Sequence, residues 1–422
     1  MNIFEFNPWW ETGGVKEEFK KKVKRDLFTT LKENLDQRTI DAVVGLRRVG
    51  KTTLMYQLID HLLSLGVDPK NIFYFSFDIE KEDLKKIIDQ YEEKVLGKRI
   101  REGKIYLFFD EIHKLGDWAN RIKVLYDLNP AVKITVSGSA SLNLMRESRE
   151  SLAGRARFFH LKPLSFVEFL EFSGEKIPLE SEFYIHEKRI KILLRKFLLR
   201  GFPQTVAMGE RESQEYIKEL VVERIIFRDI PESFNISDTE LLRILMQFVS
   251  ENPGAIINVA SFSRDLGRDR KTVRKALTFL ELSFLIKSLK NLRGSFLATS
   301  RKNRKAYPVH PSLSFSKDEG RIMETLIRGE LDAVYYWRRG GYEVDFILRD
   351  GVTVPVEVKW TDSIDRGDLK GLIKFCKRFG VKKAILLTDG VEESFEVDGI
   401  NVGVDSIPKF LLYSEFVKDT AS

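Results

Sequence analysis

A loop bounded by two glycines constrains the fold of this chain more than any other feature. Its residues, Gly45-Leu-Arg-Arg-Val-Gly50-Lys51-Thr52, have the spacing Gly-x-x-x-x-Gly-Lys-Thr. A predicted strand over residues 39–44, with Ala42, Val43 and Val44 apolar, leads into the loop, and a helical pattern over residues 51–65 leads out. The glycines let the backbone curl so that N–H groups point at phosphate oxygens, and the helix N-terminus adds its dipole. The sequence therefore predicts a phosphate-binding loop on a parallel α/β sheet.

The other residues of the loop have predictable partners in a bound nucleotide. We expect Lys51 to reach the β and γ phosphates of ATP and Thr52 to give its hydroxyl to Mg²⁺. The predicted contacts of the nucleotide are Gly45, Leu46, Arg47, Arg48, Val49, Gly50, Lys51, Thr52 and Thr53. A glycine-bounded turn with a surface lysine is the alternative.

Two acids follow a second apolar strand about sixty residues later. Residues 105–109 are apolar, so the strand is buried and Asp110 emerges at its carboxyl end, beside the loop. There Asp110 is expected to hold Mg²⁺ through water, and Glu111 to act as the general base for the attacking water. Two solvated acids capping a strand are the alternative.

The next strand ends at Ser137-Gly-Ser139, where we favour Ser139 as the γ-phosphate sensor, with Ser137 as the alternate.

Several runs together resemble a known family. GLRRVGKTTL, FFDEIHKLGDW, VSGSAS, LAGRARFFHLKPLSFVEFL and RGFPQTV resemble an AAA+-related family of archaeal and bacterial ATPases that carry a C-terminal nuclease-like domain. The resemblance implies ATP hydrolysis, and because related ATPases act across subunits it makes a homo-oligomer plausible. It also matches Gly154-Arg155 to a Gly-Arg element that precedes a Pro-Leu-Ser-Phe segment, which implies that Arg155 is a finger or sensor for the γ-phosphate. A structural ion pair of Arg155 is the alternative.

A helix-turn-helix pattern lies in the middle of the chain. A short helix from Asn258 ends at Gly267, and a second helix starts from an Asp269 cap. Basic residues cover the exposed face of the second helix, and a following hairpin adds more, which predicts a winged helix that binds duplex DNA. The basic residues are Arg268, Arg270, Lys271, Arg274 and Lys275, with Arg301, Lys302, Arg304 and Lys305 on the hairpin loop. A winged helix that packs only against protein is the alternative.

The C-terminal part presents acids and a lysine on neighbouring strands. Asp345 lies on one strand, while Glu357 and Lys359 point to the same face of the next, because residues i and i+2 point alike. With Glu324 on an upstream helix, this order resembles a PD-(D/E)xK nuclease. The resemblance assigns Asp345, Glu357 and Glu324 to a metal ion and Lys359 to the attacking water. An ion-pair network without cleavage is the alternative.

The chain is long enough for several domains. Its 422 residues carry a net charge of +7, which permits DNA as a partner without requiring it. One cysteine, and no apolar run long enough to span a membrane, predict a cytoplasmic protein without a membrane partner. The expected fold class is α/β, in four parts: a P-loop ATPase core with an N-terminal helix (1–162), a helical lid (163–238), a winged helix (239–310) and a restriction-endonuclease-like domain (311–422).

Two functions from different classes fit these patterns. The first is an ATP-dependent enzyme that binds or processes DNA. The second is an ATP-dependent signalling or regulatory switch that binds protein partners and carries an inactive nuclease-like domain.

Overall fold

The computed structural model describes residues 3–80, 82–138, 151–293 and 304–414. The chain divides into two compact units between Lys162 and Pro163. Each unit has its own sheets, and the two are described separately below.

The first unit is built on a five-stranded sheet in which every pair of neighbours is parallel. The strand order is β2-β3-β4-β1-β5. Every residue of β1, β2, β3 and β4 is buried, as the apolar runs predict. The strands are β1 (Ile40–Val44), β2 (Ile72–Ser76), β3 (Ile105–Asp110), β4 (Val132–Gly138) and β5 (Ala156–His160). This parallel sheet confirms the P-loop part of the predicted fold class.

Helices connect the parallel strands of this sheet. They span Leu27–Asn34, Lys51–Ser64, Leu84–Tyr91 and Trp118–Leu128, with short N-terminal helices at Ile3–Phe6 and Trp9–Thr12. The apolar residues Phe19, Val23, Leu27, Leu31 and Leu35 recur at helical spacing and predict a helix up to about residue 38, but residues 13–26 form turns and irregular structure. Within this segment Val15 is buried although it lies in no helix.

The N-terminal segment covers the edge strand β2. The Asn7 side chain accepts from the Tyr74 N–H at 2.7 Å and donates to the Tyr74 carbonyl at 2.9 Å, as a neighbouring strand would. The indoles of Trp9 and Trp10 both donate to the Ile72 carbonyl. This edge of the sheet is therefore closed within the chain.

The second unit begins with helices. They span Phe166–Phe172, Phe183–Leu198, Glu210–Ile217, Ile230–Phe234 and Thr239–Glu251. Apolar residues of the first two helices share one hydrophobic core with the C-terminal strands and helices, through contacts that include Phe197, Leu326, Val356 and Phe410. The predicted boundaries at 238/239 and 310/311 stay predictions.

Two five-stranded sheets complete this unit. The first has the order β10-β9-β7-β8-β6, and the second has the order β11-β12-β13-β15-β14. Strands of the first are β6 (Ala255–Ile257), β7 (Ile286–Asn291), β8 (Arg304–Pro308), β9 (Tyr335–Arg339) and β10 (Tyr342–Val344). Strands of the second are β11 (Phe346–Asp350), β12 (Val352–Val358), β13 (Lys383–Thr388), β14 (Glu393–Val397) and β15 (Ile400–Ser406). The remaining helices span Val259–Asp265, Arg270–Leu282, Glu319–Glu330, Lys370–Phe379 and Ile407–Tyr413.

Across the described ranges, no helix combines the length and apolar character that crossing a membrane requires.

Candidate functional sites

The glycine loop has the curled backbone that phosphate binding requires. Arg48 and Gly50 both adopt positive φ, 65° and 100°, and the helix Lys51–Ser64 begins directly after Gly50. Gly45 passes so close to the next segment that a Cβ there would lie 2.2 Å from the Leu161 carbonyl oxygen. Only glycine fits at position 45 without a shift of the backbone.

Lys51 is buried within this loop. Its Nζ donates to the carbonyl oxygens of Gly45 at 3.2 Å and Leu46 at 2.9 Å, and lies 4.0 Å from a Glu111 carboxylate oxygen. The ammonium is therefore held inside the loop, where phosphate oxygens would be its natural partners.

Asp110 and Thr52 meet at the end of the loop. The Thr52 hydroxyl donates to Asp110 Oδ2 at 2.6 Å, and the Tyr74 hydroxyl donates to the same oxygen at 3.1 Å. The Ser137 hydroxyl donates to Asp110 Oδ1. Burial, and then the negative charge of Glu111, raise the pKa of Asp110 against the opposing effect of these hydrogen bonds. A cation beside Asp110 would favour its ionised form, so these hard oxygen donors fit Mg²⁺.

Glu111 lies at the turn that follows β3. Its backbone is in the left-handed region, with φ of 52°, and its N–H donates to Ser137 Oγ at 3.2 Å. One carboxylate oxygen is 3.3 Å from His113 Nδ1. The structure thus brings together Lys51, Thr52, Asp110 and Glu111, as the sequence predicts.

The two candidate sensor serines differ in what the structure shows of them. Ser139 lies outside the described residues, so its role stays a prediction. Ser137 is fully buried and bonded to Asp110 and Glu111, which makes it a support for the two acids.

Arg155 lies at the opposite end of the sheet from the loop. Its carbonyl accepts from the Ile40 N–H at the start of β1, whereas the loop follows Val44 at the end of that strand. Its guanidinium forms two bonds with Asp127, at 2.8 and 3.1 Å. A sensor role for Arg155 at its own nucleotide is therefore wrong, because parallel strands hold the two positions at opposite edges. A finger that acts on a neighbouring subunit stays a prediction.

Arg25 is a site residue that sequence reasoning missed. It is buried, and its guanidinium donates to the Val49 carbonyl within the loop at 2.6 Å and to the Lys162 carbonyl at 2.8 Å. Arg25 thus ties the phosphate-binding loop to the last residue of the first unit. It lies in a Lys-rich segment with no motif, so the sequence offered no signal for it.

Two capped helices lie where the helix-turn-helix was predicted. Asn258 caps Val259–Asp265, and Asp269 caps Arg270–Leu282. Val273, Ala276 and Leu280 are buried on the inner face of the second helix. The exposed face carries the basic residues Arg270, Lys271, Arg274 and Lys275. A small sheet follows, in which β8 pairs antiparallel with β7 and β6.

The hairpin differs from the prediction at one residue. Arg304 is exposed and Lys305 is 5% exposed, although both were expected to face DNA. Successive residues of a strand point to opposite faces, so only one of the two can face outward. Arg301 and Lys302 lie outside the described residues.

Lys305 points into a cleft of about 450 Å³ in the second unit. Its Nζ lies 3.4 Å from Asp345 Oδ1 and also pairs with Glu343. The four residues predicted for the C-terminal site line this same cleft. Lys305 and three further charged residues complete the charged part of its lining. The lining side chains are the acids Glu324, Glu343, Asp345 and Glu357 and the bases Lys305, Arg321, Arg338 and Lys359.

Backbone and side-chain bonds hold Asp345 and Glu357 together. The Asp345 N–H donates to Glu357 Oε2 at 3.3 Å, and the Val358 N–H donates to Asp345 Oδ2 at 3.1 Å. Lys359 Nζ is 3.2 Å from Glu357 Oε1. Glu324 is held separately, by the Tyr307 hydroxyl at 2.8 Å.

The predicted metal ligand set Asp345, Glu357 and Glu324 does not assemble. In the part of the chain that the structure describes, no group of three or more His, Cys, Asp or Glu side chains is placed to hold a metal ion. Instead, Lys305 Nζ lies 3.4 Å from Asp345 Oδ1, and the Tyr307 hydroxyl donates to Glu324 Oε2; both residues are on β8. The residues at this site therefore do not fit a divalent cation.

Two acids of the cleft, Glu324 and Glu357, resist ionisation. Burial, followed by the charge of Asp345, raises the pKa of Glu324 to about 7 and raises that of Glu357 well above its usual value. Burial alone would lower the pKa of Lys305, but the surrounding acidic groups outweigh it and raise the pKa well above its usual value. Lys305 is therefore an ammonium ion in this cleft.

Known protein families match three consecutive parts of the chain. Residues 37–170 match the AAA domain, residues 191–316 a domain of unknown function (DUF8612), and residues 319–407 another domain of unknown function (DUF4143). The first part is therefore similar to AAA domains, and its loop geometry supports nucleotide binding. The same comparison describes the other two parts only as domains of unknown function.

Relatives align along most of the chain. An uncharacterized protein of Methanocaldococcus jannaschii is 27% identical over 350 residues, covering 78% of this chain and 75% of that protein. An uncharacterized protein of Haemophilus influenzae is 26% identical over 395 residues, covering 87% and 93%. Among solved structures, the ADP form of the Aeropyrum pernix ORC2 protein is similar at a TM-score of 0.36 and 11% identity, covering 68% of this chain and 92% of that one.

Proposed function

We propose that this protein is a magnesium-dependent ATPase that couples ATP hydrolysis to the binding of duplex DNA. The observation that carries the proposal is the convergence of Lys51, Thr52, Asp110 and Glu111 at the end of one parallel sheet. The four-part organisation expected from the sequence, with boundaries at 162, 238 and 310, is part of this proposal.

Each residue of the site has a separate task. The loop N–H groups and the helix dipole bind the phosphates, and Lys51 exchanges its bonds with the Gly45 and Leu46 carbonyls for phosphate oxygens. Thr52 and Asp110 would hold Mg²⁺, which when bound supplies positive charge to the β and γ phosphates. Glu111 accepts a proton from the attacking water, and His113, 3.3 Å away, orients its carboxylate.

The basic helix supports the DNA part of the proposal. Arg270, Lys271, Arg274 and Lys275 are exposed on one helix whose opposite face is buried. Such a face neutralises phosphates of duplex DNA, with Arg304 on the adjoining hairpin as a further contact.

A second candidate function is favoured by the C-terminal cleft. Because that cleft pairs its acids with Lys305 and Lys359, the nuclease-like part can be inactive in cleavage. An ATP-dependent regulatory switch that binds protein partners is consistent with that arrangement.

One set of assays tests the proposal. ADP release is measured with Mg²⁺ for the wild type, for Lys51→Ala, and for Lys94→Ala, which changes an exposed lysine of the same unit. We expect Lys51→Ala to abolish hydrolysis and Lys94→Ala to leave it intact. Unchanged turnover in Lys51→Ala would refute the site.

Duplex DNA binding is measured in parallel by fluorescence anisotropy at low salt, with and without ATP. We expect saturable binding whose affinity changes with ATP. Hydrolysis without DNA binding would refute the coupling and leave the regulatory switch.

A further inference from the structure

A lysine takes the central position of the C-terminal cleft. Lys305 lies on β8, which pairs with β6 on one side and β7 on the other, so its backbone is fixed on both edges. Its side chain is 7% exposed and its ammonium lies 5.5 Å from the centre of the Tyr336 ring. The ammonium is therefore held largely away from solvent, between the acids and the ring.

Basic side chains already pair with acids of the cleft. Four acidic and four basic side chains line it; Lys305 contacts Glu343 and Asp345, and Lys359 contacts Glu357. Sites that hold Mg²⁺ or Mn²⁺ keep an excess of negative oxygen ligands at short distance. Here the Asp345 oxygen that would bind such an ion has the Lys305 ammonium 3.4 Å away. A divalent ion bound to that oxygen would lie against a fixed positive charge.

We propose that the Lys305 ammonium replaces a divalent cation between Asp345 and Glu343, so the cleft does not bind Mg²⁺ or Mn²⁺. The cleft then has no means of generating a metal-activated water, and it does not cleave phosphodiesters by that route. This inference does not depend on the ATPase, since it concerns residues of the second unit only.

Manganese binding to the full-length, nucleotide-free protein tests the proposal. Every protein carries Asp110→Asn, so that the phosphate-binding loop contributes no site. Free Mn²⁺ is followed by electron paramagnetic resonance for the native cleft, for Lys305→Met, and for Lys305→Met with Asp345→Asn. Lys359→Met is the matched control, because it removes a positive charge that is bonded to Glu357 at the partly exposed side of the cleft.

We expect no stoichiometric Mn²⁺ binding to the native cleft. We expect Lys305→Met to gain one saturable site, with an Mn²⁺ affinity at least ~10-fold above any residual binding by the native cleft, a change typical of altered surroundings of metal ligands. Asp345→Asn is expected to remove the gained site, and Lys359→Met to create none.

Two results would overturn the proposal. One is stoichiometric Mn²⁺ binding by the native cleft that Asp345→Asn abolishes. The other is a Lys305→Met protein with a native circular dichroism spectrum that gains no site. If Lys305→Met does not fold, the native-cleft titration alone decides. None of these measurements involves ATP. A failure of this proposal can therefore be told apart from a failure of the ATPase proposal.

Discussion

The Thr52 hydroxyl donates a hydrogen bond of 2.6 Å to the Asp110 carboxylate, across 58 residues of sequence. Thr52 lies in the first turn of the helix after the loop and Asp110 ends a neighbouring strand, so the contact joins the two motifs directly. The pair places two hard oxygen ligands at the point where nucleotide phosphates are expected.

Asp110→Asn should abolish ATP hydrolysis and remove the Mg²⁺ dependence of ATP binding, because an amide cannot supply the negative charge that Mg²⁺ requires. Binding of a fluorescent ATP analogue with and without Mg²⁺ measures this. Tyr74→Phe is the control, since it removes the 3.1 Å bond to the same carboxylate without changing the charge of Asp110. An Asp110→Asn protein whose ATP binding still tightens with Mg²⁺ would contradict the assignment.

Glu111→Gln should separate binding from chemistry. The amide keeps the shape of the side chain but cannot accept the proton, so hydrolysis should fall at least ~100-fold while ATP affinity changes little. Single-turnover ADP formation and equilibrium ATP binding are the two measurements. A parallel loss of both would show that Glu111 acts in binding rather than as the base.

Arg25→Lys should weaken the phosphate-binding loop. One ammonium cannot reproduce the two bonds of the guanidinium to the Val49 and Lys162 carbonyls, and a buried carbonyl loses its partner. We expect a loss of about 2–3 kcal/mol in the free energy of unfolding of the first unit and weaker ATP binding. Arg157→Lys is the control, with its exposed bond to Gln37. Equal stability of the two variants would argue against the role of Arg25.

The double change Arg270→Ala and Lys271→Ala should lower the salt dependence of DNA binding. Each lost phosphate contact reduces the slope of log K against log salt by about 0.9. The double variant should therefore lose about 1.8 units of slope in anisotropy titrations over several salt concentrations. Arg243→Ala, an exposed arginine paired with Glu240, is the control. An unchanged slope would place the DNA surface elsewhere.

Acid should destabilise the second unit through His310. Burial, and then the charge of Arg328, lower the pKa of His310 from 6.5 to about 3. The folded state holds the neutral imidazole while the unfolded chain protonates, so the stabilisation is present above pH 6.5 and is lost as pH falls toward 3. Between pH 7 and pH 5 the wild type should lose about 2 kcal/mol more than His310→Asn in urea unfolding. Parallel losses in both proteins would contradict this account.

The sequence alone predicted the curled glycine loop, the two acids at the end of the strand beside it, and the basic helix. These features depend on local rules: a glycine spacing, an apolar run that ends in acids, and caps before amphipathic helices. The strand Ile105–Asp110 and the helix Lys51–Ser64 lie where those rules place them. Parallel strands then bring their carboxyl ends together, so Asp110 meets Thr52 without further information.

Only the tertiary structure decided the partners of Arg25, Arg155 and Lys305. Each is a basic side chain in a segment with several others, and its partner lies in a distant element: Val49, Asp127 and Asp345 respectively. Arg304 and Lys305 are neighbours of the same charge, yet one faces outward and the other is buried among carboxylates. Which face of a strand meets which sheet depends on how separate elements pack, and long-range packing leaves no periodic pattern in the chain.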